Sequence, residues 1–356
     1  MRNLSRLAAG LVLAAGLNIC LTAQNPTAAI SNGQVKATLY LPDSKNGFYR
    51  GSRFDWSGVV SSLQYAGHSY YGPWFERSSP EVNDFIYDGD AIVAGPCTSI
   101  MGVPEEFSTN RAGLGYDEAK VGGTFIKIGV GVLRKPDDRP YSMFRLYEIV
   151  DNGKWTVHTA SDSVEFIQEL ADPASGYAYV YSKRVSLTPG KPQMVLEHRL
   201  RNTGKRTIQT SVYNHNFMRL DNQAPGPDLV FKTAFQPQAS GPQPGTPQPG
   251  APPAANPVEI HGNQIALTKT LSGKERVMVQ LSGFGTDSKD YDFRIENRKL
   301  GFGLRITSDR PLSRAMIWGI RSVIAVEPFN EMTIEPGSEF TWKTTYDYYT
   351  FPKDPM

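Results

Sequence analysis

The chain has 356 residues, of which 37 are basic and 35 acidic, and its formal charge at pH 7 is +2. A surface so close to neutral gives no electrostatic reason to expect nucleic acid or an anionic membrane as a partner. Aromatic residues make up 11% of the chain, beside 33 glycines and 26 prolines. This composition is typical of exported antiparallel β proteins.

The first 23 residues have the layout of a secretory signal peptide. Arg2 and Arg6 give a basic start, an apolar run follows over 7–21, and the small residues after it predict cleavage after Ala23. One alternative is a membrane anchor, for which the run is short. Another is a lipid anchor on Cys20, whose preceding residues fit a lipobox poorly. We therefore expect simple export to the periplasm or the extracellular space, with no membrane contact after the signal is removed.

Removal of the signal would change the charge and the cysteine count. The mature chain, expected to span 24–356, would lose Arg2 and Arg6 and so carry 35 basic residues against 35 acidic ones. It would also lose Cys20, which leaves Cys97 without a partner for an internal disulfide. The remaining chain is long enough for one large domain with an ample core.

Short segments with strand character follow one another from residue 28 onward. A hairpin is predicted over 28–41, because the turn sequence Asn32-Gly33 separates two alternating runs. The same alternation predicts further strands at 125–133, 143–150, 155–161, 163–169, 178–187, 193–201, 208–213, 258–261, 264–270, 276–283, 301–308, 314–320, 322–327, 332–334 and 339–348. We therefore expect an all-β fold, a large antiparallel two-sheet β-sandwich.

The segment 236–257 is different, because Pro, Gln, Gly and Ala alternate in it without a hydrophobic pattern. Such a composition cannot bury enough apolar surface to build a core. It is either a linker between domains or a surface loop. Because strands of the same style lie on both sides, we expect a surface loop within a single domain that spans 24–356.

Two segments contain the residue types that acid–base chemistry needs. In the first, Asn214 and Asn216 flank His215 and supply donors and acceptors that can set the tautomer of its ring. In the second, Glu327 closes the apolar run 323–326, where burial would raise the pKa of a carboxyl group and make it a usable general base. Each also has a structural interpretation, as a surface histidine and as a carboxylate that leaves the sheet edge.

Taken together, the two segments resemble the aldose 1-epimerase, or galactose mutarotase-like, superfamily. That family carries an Asn-His stretch with a following Phe and Leu, which 214–220 resembles. It also has a strand ending in Glu, a Pro-Gly turn and a last strand with Thr and Tyr, which 327–346 resembles. The order of the segments and the leader strand 194–204 also fit. The resemblance is best over 155–350, and the first 150 residues match only in outline.

The resemblance implies the galactose mutarotase-like sandwich and a ring-opening reaction. Glu327 would take the proton of the anomeric hydroxyl while His215 donates a proton to the ring oxygen, so that the sugar opens and recloses as the other anomer. Such a reaction requires no metal and no cofactor, and the implied partner is a mono- or oligosaccharide. Asn214 is expected to bind this ligand, and Asp292 is a loose match to a sugar-binding aspartate of the family.

Three residues of the N-terminal half are further candidates for sugar contact. Arg53 is similar to an arginine found early in some superfamily members, and Trp74 offers an aromatic platform for the face of a pyranose. Lys127 would stand in for an upstream histidine of the family that this sequence lacks. Each residue also has a structural interpretation, because clusters of Gly, Trp and Asp build turns.

Three functions remain open on these observations. The first is a mutarotase or related sugar epimerase, and the second is a non-catalytic carbohydrate-binding sandwich. The third is a polysaccharide hydrolase or lyase that uses the same fold with different residues. Neither an H-E-x-x-H zinc motif nor a G-x-S-x-G nucleophile motif occurs in the sequence, which disfavours those two chemistries.

Overall fold

The computed structural model describes residues 25–109, 111–240 and 257–353. The predicted signal peptide, 1–23, lies outside the described residues. Within the described ranges the regular structure is almost entirely β, with two short 3-10 helices at Leu220–Asn222 and Ser288–Asp290. None of the described helices is long and apolar enough to cross a membrane.

Strands run through the whole described part of the chain. Those of the first half are β1 (Thr27–Ser31), β2 (Val35–Tyr40), β3 (Val59–Tyr65), β4 (His68–Tyr71), β5 (Arg77–Ser78), β6 (Phe85–Asp88), β7 (Ala91–Ala94), β8 (Glu105–Ser108), β9 (Thr124–Lys127), β10 (Gly131–Arg134), β11 (Ile149–Asp151), β12 (Lys154–Thr159) and β13 (Ser163–Asp172). Those of the second half are β14 (Tyr177–Leu187), β15 (Gln193–Asn202), β16 (Ile208–Asn214), β17 (Leu229–Thr233), β18 (Gln238–Ser240), β19 (Val258–His261), β20 (Gln264–Leu267), β21 (Arg276–Ser282), β22 (Asp292–Asn297), β23 (Phe302–Ser308), β24 (Arg314–Ile320), β25 (Val323–Ile334) and β26 (Glu339–Thr350).

Two large antiparallel sheets form the body of the protein. The ten-stranded sheet has the order β12-β13-β14-β15-β26-β23-β22-β17-β20-β19, and the six-stranded sheet has the order β18-β21-β24-β25-β16-β8. Their facing side chains form a continuous core, in which Ile317 and Val326 of the six-stranded sheet pack with Tyr346 and Tyr348 of the ten-stranded sheet. The expected all-β, two-sheet sandwich is therefore confirmed.

Strict alternation explains why these segments form sheet rather than helix. In β14 the odd-numbered residues from Tyr177 to Leu187 are buried, and the even-numbered residues are only partly covered or exposed. A period of two places every second side chain on one face of the sheet. The same rule gives the six-stranded sheet an inner face, toward the ten-stranded sheet, and an outer face that points away from it.

Three smaller sheets come from the N-terminal half; buried residues of two of them reach the outer face, whereas most buried residues of β1, β2, β3 and β4 join the core cluster of the two large sheets. The first is β1-β2-β3-β4, the second is β11-β10-β9, and the third is β5-β7-β6, in which β5 and β7 are parallel. Phe54, Trp74 and Phe125 of this region pack in one cluster with Phe217 and Val323 of the outer face. The part of the outer face around Phe217 and Val323 is therefore enclosed rather than open to water.

The structure corrects several predicted strands. The hairpin over 28–41 is confirmed by the pairing of β1 with β2. The predicted single strand 125–133 is a hairpin instead, because the chain turns at Gly129, whose φ of 77° is in the left-handed region that favours glycine. The predicted strands 322–327 and 332–334 are one strand, β25, since Pro328 continues the pairing with β24.

The predicted Pro-rich loop at 236–257 is described only at its two ends. Its first residues include β18, a short strand at the edge of the six-stranded sheet that pairs with β21. Residues 241–256 lie outside the described residues. Strands β3 to β8, which lie within 59–108, were not predicted from the sequence.

Candidate functional site

The middle of the outer face is a three-by-three array of side chains from neighbouring strands. Register pairs Arg314, Met316 and Trp318 with Phe329, Glu327 and Ala325, and Tyr213 with Phe329. The array, called the outer-face grid below, consists of Arg314, Met316 and Trp318 on β24, Phe329, Glu327 and Ala325 on β25, and Tyr213, His215 and Phe217 on and after β16. Glu327 is at its centre.

His215 and Glu327 are in direct contact in this grid. Nε2 of His215 lies 3.2 Å from Oε1 of Glu327, and the two residues are 6% and 5% exposed. His215 directly follows β16, as predicted, whereas Glu327 lies within β25 and not at the end of a strand. Nδ1 of His215 is buried and has no hydrogen-bond partner among the described residues, a costly arrangement that calls for an explanation.

Burial perturbs both titrations in the direction of the neutral forms. It raises the pKa of Glu327 to about 8, although the guanidinium groups of Arg53 and Arg314 act in the opposite direction. Burial also lowers the pKa of His215 well below its ordinary value, and the charge of Arg53 lowers it further. Both shifts favour a protonated, neutral Glu327 beside a neutral His215 at neutral pH.

Aromatic rings enclose the imidazole. The ring of Phe217 stacks on His215 at 3.8 Å between centroids, and Trp318 and Phe54 meet it edge-on at 5.3 and 5.9 Å. Trp74 stacks on Phe217 from behind and is itself only 2% exposed. In this structure the faces of Trp74, predicted to be a platform for a sugar, are used in core packing.

Arg53 and Lys127 reach the site through a shared carboxylate. Nε of Arg53 lies 2.7 Å from Oε2 of Glu106, and Nζ of Lys127 lies 3.2 Å from Oε1 of the same group. The Arg53 guanidinium also donates to the hydroxyl of Tyr213 at 3.0 Å, and that hydroxyl donates to Glu106 at 2.7 Å. Of the two predicted residues, Arg53 lies near enough to the pair to act on both of its titrations. Lys127 binds Glu106 on its other carboxylate oxygen.

The other two predicted ligand residues lie elsewhere. Asn214 is buried, but it precedes His215 in the strand, and successive side chains point to opposite faces. Asp292 begins β22 in the ten-stranded sheet, where its carboxylate is held by the guanidinium of Arg305 at 2.6 and 2.8 Å. It does not reach the outer-face grid, because its sheet lies on the other side of the sandwich core.

A second buried ion-pair network lies between the sheets. Nζ of Lys183 is 2.8 Å from Glu105 and 3.4 Å from Asp55, and Nε2 of His198 is 2.9 Å from Glu105. Glu105 and Glu106 are neighbours on β8, so their side chains point to opposite faces. Glu105 belongs to this network on the inner face, and Glu106 belongs to the site on the outer face. Because all four groups are buried with partners in place, this network is part of the architecture.

An open pocket of about 320 Å³ lies next to the site. Its wall residue Phe144 also contacts Arg53, whose guanidinium carbon is 5.1 Å from the centre of the ring. The remaining lining residues are Asn83, Arg139, Pro140, Ser142 and Arg145. Among the described residues no group of His, Cys, Asp and Glu side chains is arranged to hold a metal ion.

Comparison with known proteins identifies the fold. No protein-family model and no curated protein sequence matches the chain, but solved structures do. One is a galactose mutarotase-related enzyme from Lactobacillus acidophilus, with a TM-score of 0.52 and 14% identity over 93% of this chain and 100% of that one. The chain has the galactose mutarotase-like fold.

Two further structures of this fold match equally well. A galactose mutarotase-like protein from Lactobacillus casei has a TM-score of 0.52 and 14% identity over 91% of this chain and 100% of that one. An aldose epimerase homologue from C. elegans has the same TM-score and identity over 92% of this chain and 100% of that one. At such identity the likeness is one of fold, and it confirms the resemblance predicted from the two sequence segments at that level.

Sequence reasoning missed Glu106, Tyr213, Arg314 and Phe54. A signal was present for two of them, because Tyr213 and Arg314 occupy the same alternating positions as His215 and Trp318 in strands that were predicted. Glu106 and Phe54 had no such signal, since neither lies in a strand that the sequence predicted.

Proposed function

We propose that this protein is an aldose 1-epimerase-like enzyme that interconverts the anomers of a sugar by acid–base ring opening. The observation that carries the proposal is the contact of His215 with Glu327 at 3.2 Å on an enclosed sheet face. The ring oxygen and the anomeric hydroxyl oxygen of an aldose are bonded to the same carbon. An acid and a base that act on them must therefore lie close together, as this pair does.

The reaction can run on the one proton that the pair holds. Transfer of that proton from Glu327 to His215 gives a carboxylate and an imidazolium without exchange with solvent. The carboxylate then removes the proton of the anomeric hydroxyl, and the imidazolium donates to the ring oxygen as the bond between that oxygen and the anomeric carbon breaks. The pair is neutral again, the aldehyde rotates, and the reverse steps close the ring as the other anomer.

Arg53 acts through its charge on both members of the pair. Its positive charge favours the ionised form of Glu327 and disfavours protonation of His215, so it tunes both members of the pair. Arg53 is fixed by Glu106 and by the hydroxyl of Tyr213. A preorganised charge in an enclosed site acts without the reorganisation that water would need.

Access to the pair requires a movement, since both residues are nearly fully buried. Phe54 covers the imidazole, and the adjacent Arg53 lies between Phe54 and Phe144. Phe144 is also a wall residue of the open pocket. A sugar that occupies this pocket would reach the pair when the Phe54 side chain moves off the imidazole, while Glu106 and Tyr213 hold Arg53 in place.

The same enclosure favours a second candidate, a β-sandwich that binds carbohydrate without catalysing a reaction. The two candidates differ in whether the protein accelerates the optical change of freshly dissolved α-D-glucose and α-D-galactose in a polarimeter. We expect acceleration by the wild type, and its loss in His215→Ala and in Glu327→Gln. His158→Ala is the matched control, because His158 is an exposed histidine on β12 of the other sheet.

The experiment has clear outcomes for each candidate. Acceleration that survives both substitutions would contradict the assignment of the pair. No acceleration by the wild type, together with sugar binding in calorimetry, would favour the binding sandwich. Release of shorter chains from an oligosaccharide would instead favour a hydrolase or lyase. Thermal unfolding of each variant shows whether a loss of activity follows from a loss of fold.

A further inference from the structure

Arg314 stands at a corner of the outer-face grid and makes no ion pair with another described residue. Its guanidinium lies over the ring of Phe329, 3.6 Å from the centroid, and Phe329 stacks on Tyr213 at 4.3 Å. The residue is exposed to solvent, and no ion pair or hydrogen bond to it is found within the described ranges. A rigid aromatic shelf thus holds a cation in place without neutralising it.

The charge of Arg314 acts on Glu327, but the acids near Arg314 make no ion pair with it among the described residues. Glu106 is at the far end of the same cross-strand row and is already bound by Arg53 and Lys127. Glu331 follows Phe329 on the same face of β25 and is exposed, but it makes no ion pair with Arg314 in the part of the chain that the structure describes. The site therefore carries a guanidinium that is free to bind an anion.

The position of Arg314 relates it to the reacting pair. Arg314 of β24 pairs with Phe329 of β25. Met316, the next β24 residue on the same face, pairs with Glu327. Arg314 and Glu327 are therefore diagonal neighbours, whose Cα atoms are typically about 7–8 Å apart. A pyranose whose anomeric centre meets Glu327 and His215 carries its C5 substituent away from that centre over a comparable length.

We propose that Arg314 binds an anionic group on the sugar, so that the preferred ligand is an acidic aldose that carries a carboxylate or a phosphate. This inference rests on the proposed function, since it assumes that the anomeric centre lies at His215 and Glu327. A guanidinium binds either anion through two parallel hydrogen bonds. Neutral hexoses have no group that would engage it in this way.

The test compares binding of D-glucuronate, D-glucose 6-phosphate and D-glucose by calorimetry, with the wild type and Arg314→Gln. We expect at least one acidic sugar to bind the wild type about tenfold more tightly than D-glucose, as a charge-assisted contact predicts. In Arg314→Gln the ratio of the acidic-sugar affinity to the D-glucose affinity should fall to about one. Arg294→Gln is the matched control, because Arg294 is an exposed strand arginine on the ten-stranded sheet.

The acidic sugar that binds more tightly shows whether Arg314 prefers a carboxylate or a phosphate. Equal binding of all three sugars by the wild type, no binding of any of them, or a preference that survives in Arg314→Gln would overturn the inference. Anomer exchange measured on the same samples separates this result from the proposed function. If no sugar is exchanged but the preference depends on Arg314, the catalytic proposal fails and the anion site stands. If D-glucose is exchanged and no acidic sugar is preferred, the anion site fails and the catalytic proposal stands.

Discussion

Replacing Glu327 by glutamine should make the protein's stability less dependent on pH. The folded protein raises the pKa of this carboxyl group from 4.5 to about 8 by burial. A carboxyl group with a raised pKa binds its proton more tightly in the folded state than in the unfolded state. Its contribution to stability is therefore complete below pH 4.5 and is lost as pH rises toward about 8.

The size of the effect follows from these two values. Each pH unit between them changes the free energy of unfolding by about 1.4 kcal/mol. Between pH 6 and pH 9 the wild type should therefore lose about 3 kcal/mol through Glu327 alone. Glu327→Gln lacks the titrating group, so its stability should fall by that much less over the same range.

Urea unfolding of both proteins at several pH values measures this difference. Comparison with the variant removes the contribution of other groups that titrate in the range. Glu331→Gln is a suitable control, because it removes an exposed carboxylate from the same strand and should follow the wild type. A gap between the wild type and Glu327→Gln that stays constant from pH 6 to pH 9 would refute the claim that Glu327 is neutral at pH 7.

Three further predictions concern the two networks and the pair. Lys183→Met should destabilise the fold by about 3–5 kcal/mol in urea unfolding, because it leaves buried acids without a cation; the exposed Lys154→Met should cost under about 1 kcal/mol, and equal losses would contradict the burial argument. Tyr213→Phe removes the hydroxyl that binds Glu106 and should lower the rate of anomer exchange with little change in sugar affinity; a changed affinity and an unchanged rate would argue against a positioning role. Anomer exchange should fall above about pH 8, where Glu327 and its neighbour lose their shared proton, and a rate that rises through pH 9 would exclude this assignment.

Much of the fold follows from alternation alone. Strands β14, β15, β16 and β24 were predicted to within one residue at each end, because their inward positions are apolar at a period of two. Glu327 and His215 could be paired only through the resemblance of their flanking segments, since neither residue is distinctive by itself. Register then determines which of their neighbours share the outer face.

Other features depend on layers that a single strand pattern does not reveal. Glu105 and Glu106 look like a solvent-facing acidic pair, yet β8 lies between the sandwich core and the N-terminal cover, so both are buried. Lys183 occupies an inward position of β14 where the pattern predicts an apolar residue, and its cost is offset only by partners from distant segments. The position of Asp292, apart from the outer-face grid, could not be predicted for a related reason, because a strand start gives no information about which sheet the strand joins.

The most direct test of the central claim is the rate at which the α and β anomers interconvert at equilibrium. Magnetisation transfer between the α and β anomeric resonances of an aldose in NMR reports ring opening without any net reaction. The wild type should increase this exchange rate in proportion to enzyme concentration, and Glu327→Gln, folded to the same extent, should leave the rate at its value in buffer. An unchanged rate with the wild type across neutral and acidic aldoses, or an equal increase with Glu327→Gln, would contradict the assignment of His215 and Glu327 as the acid–base pair.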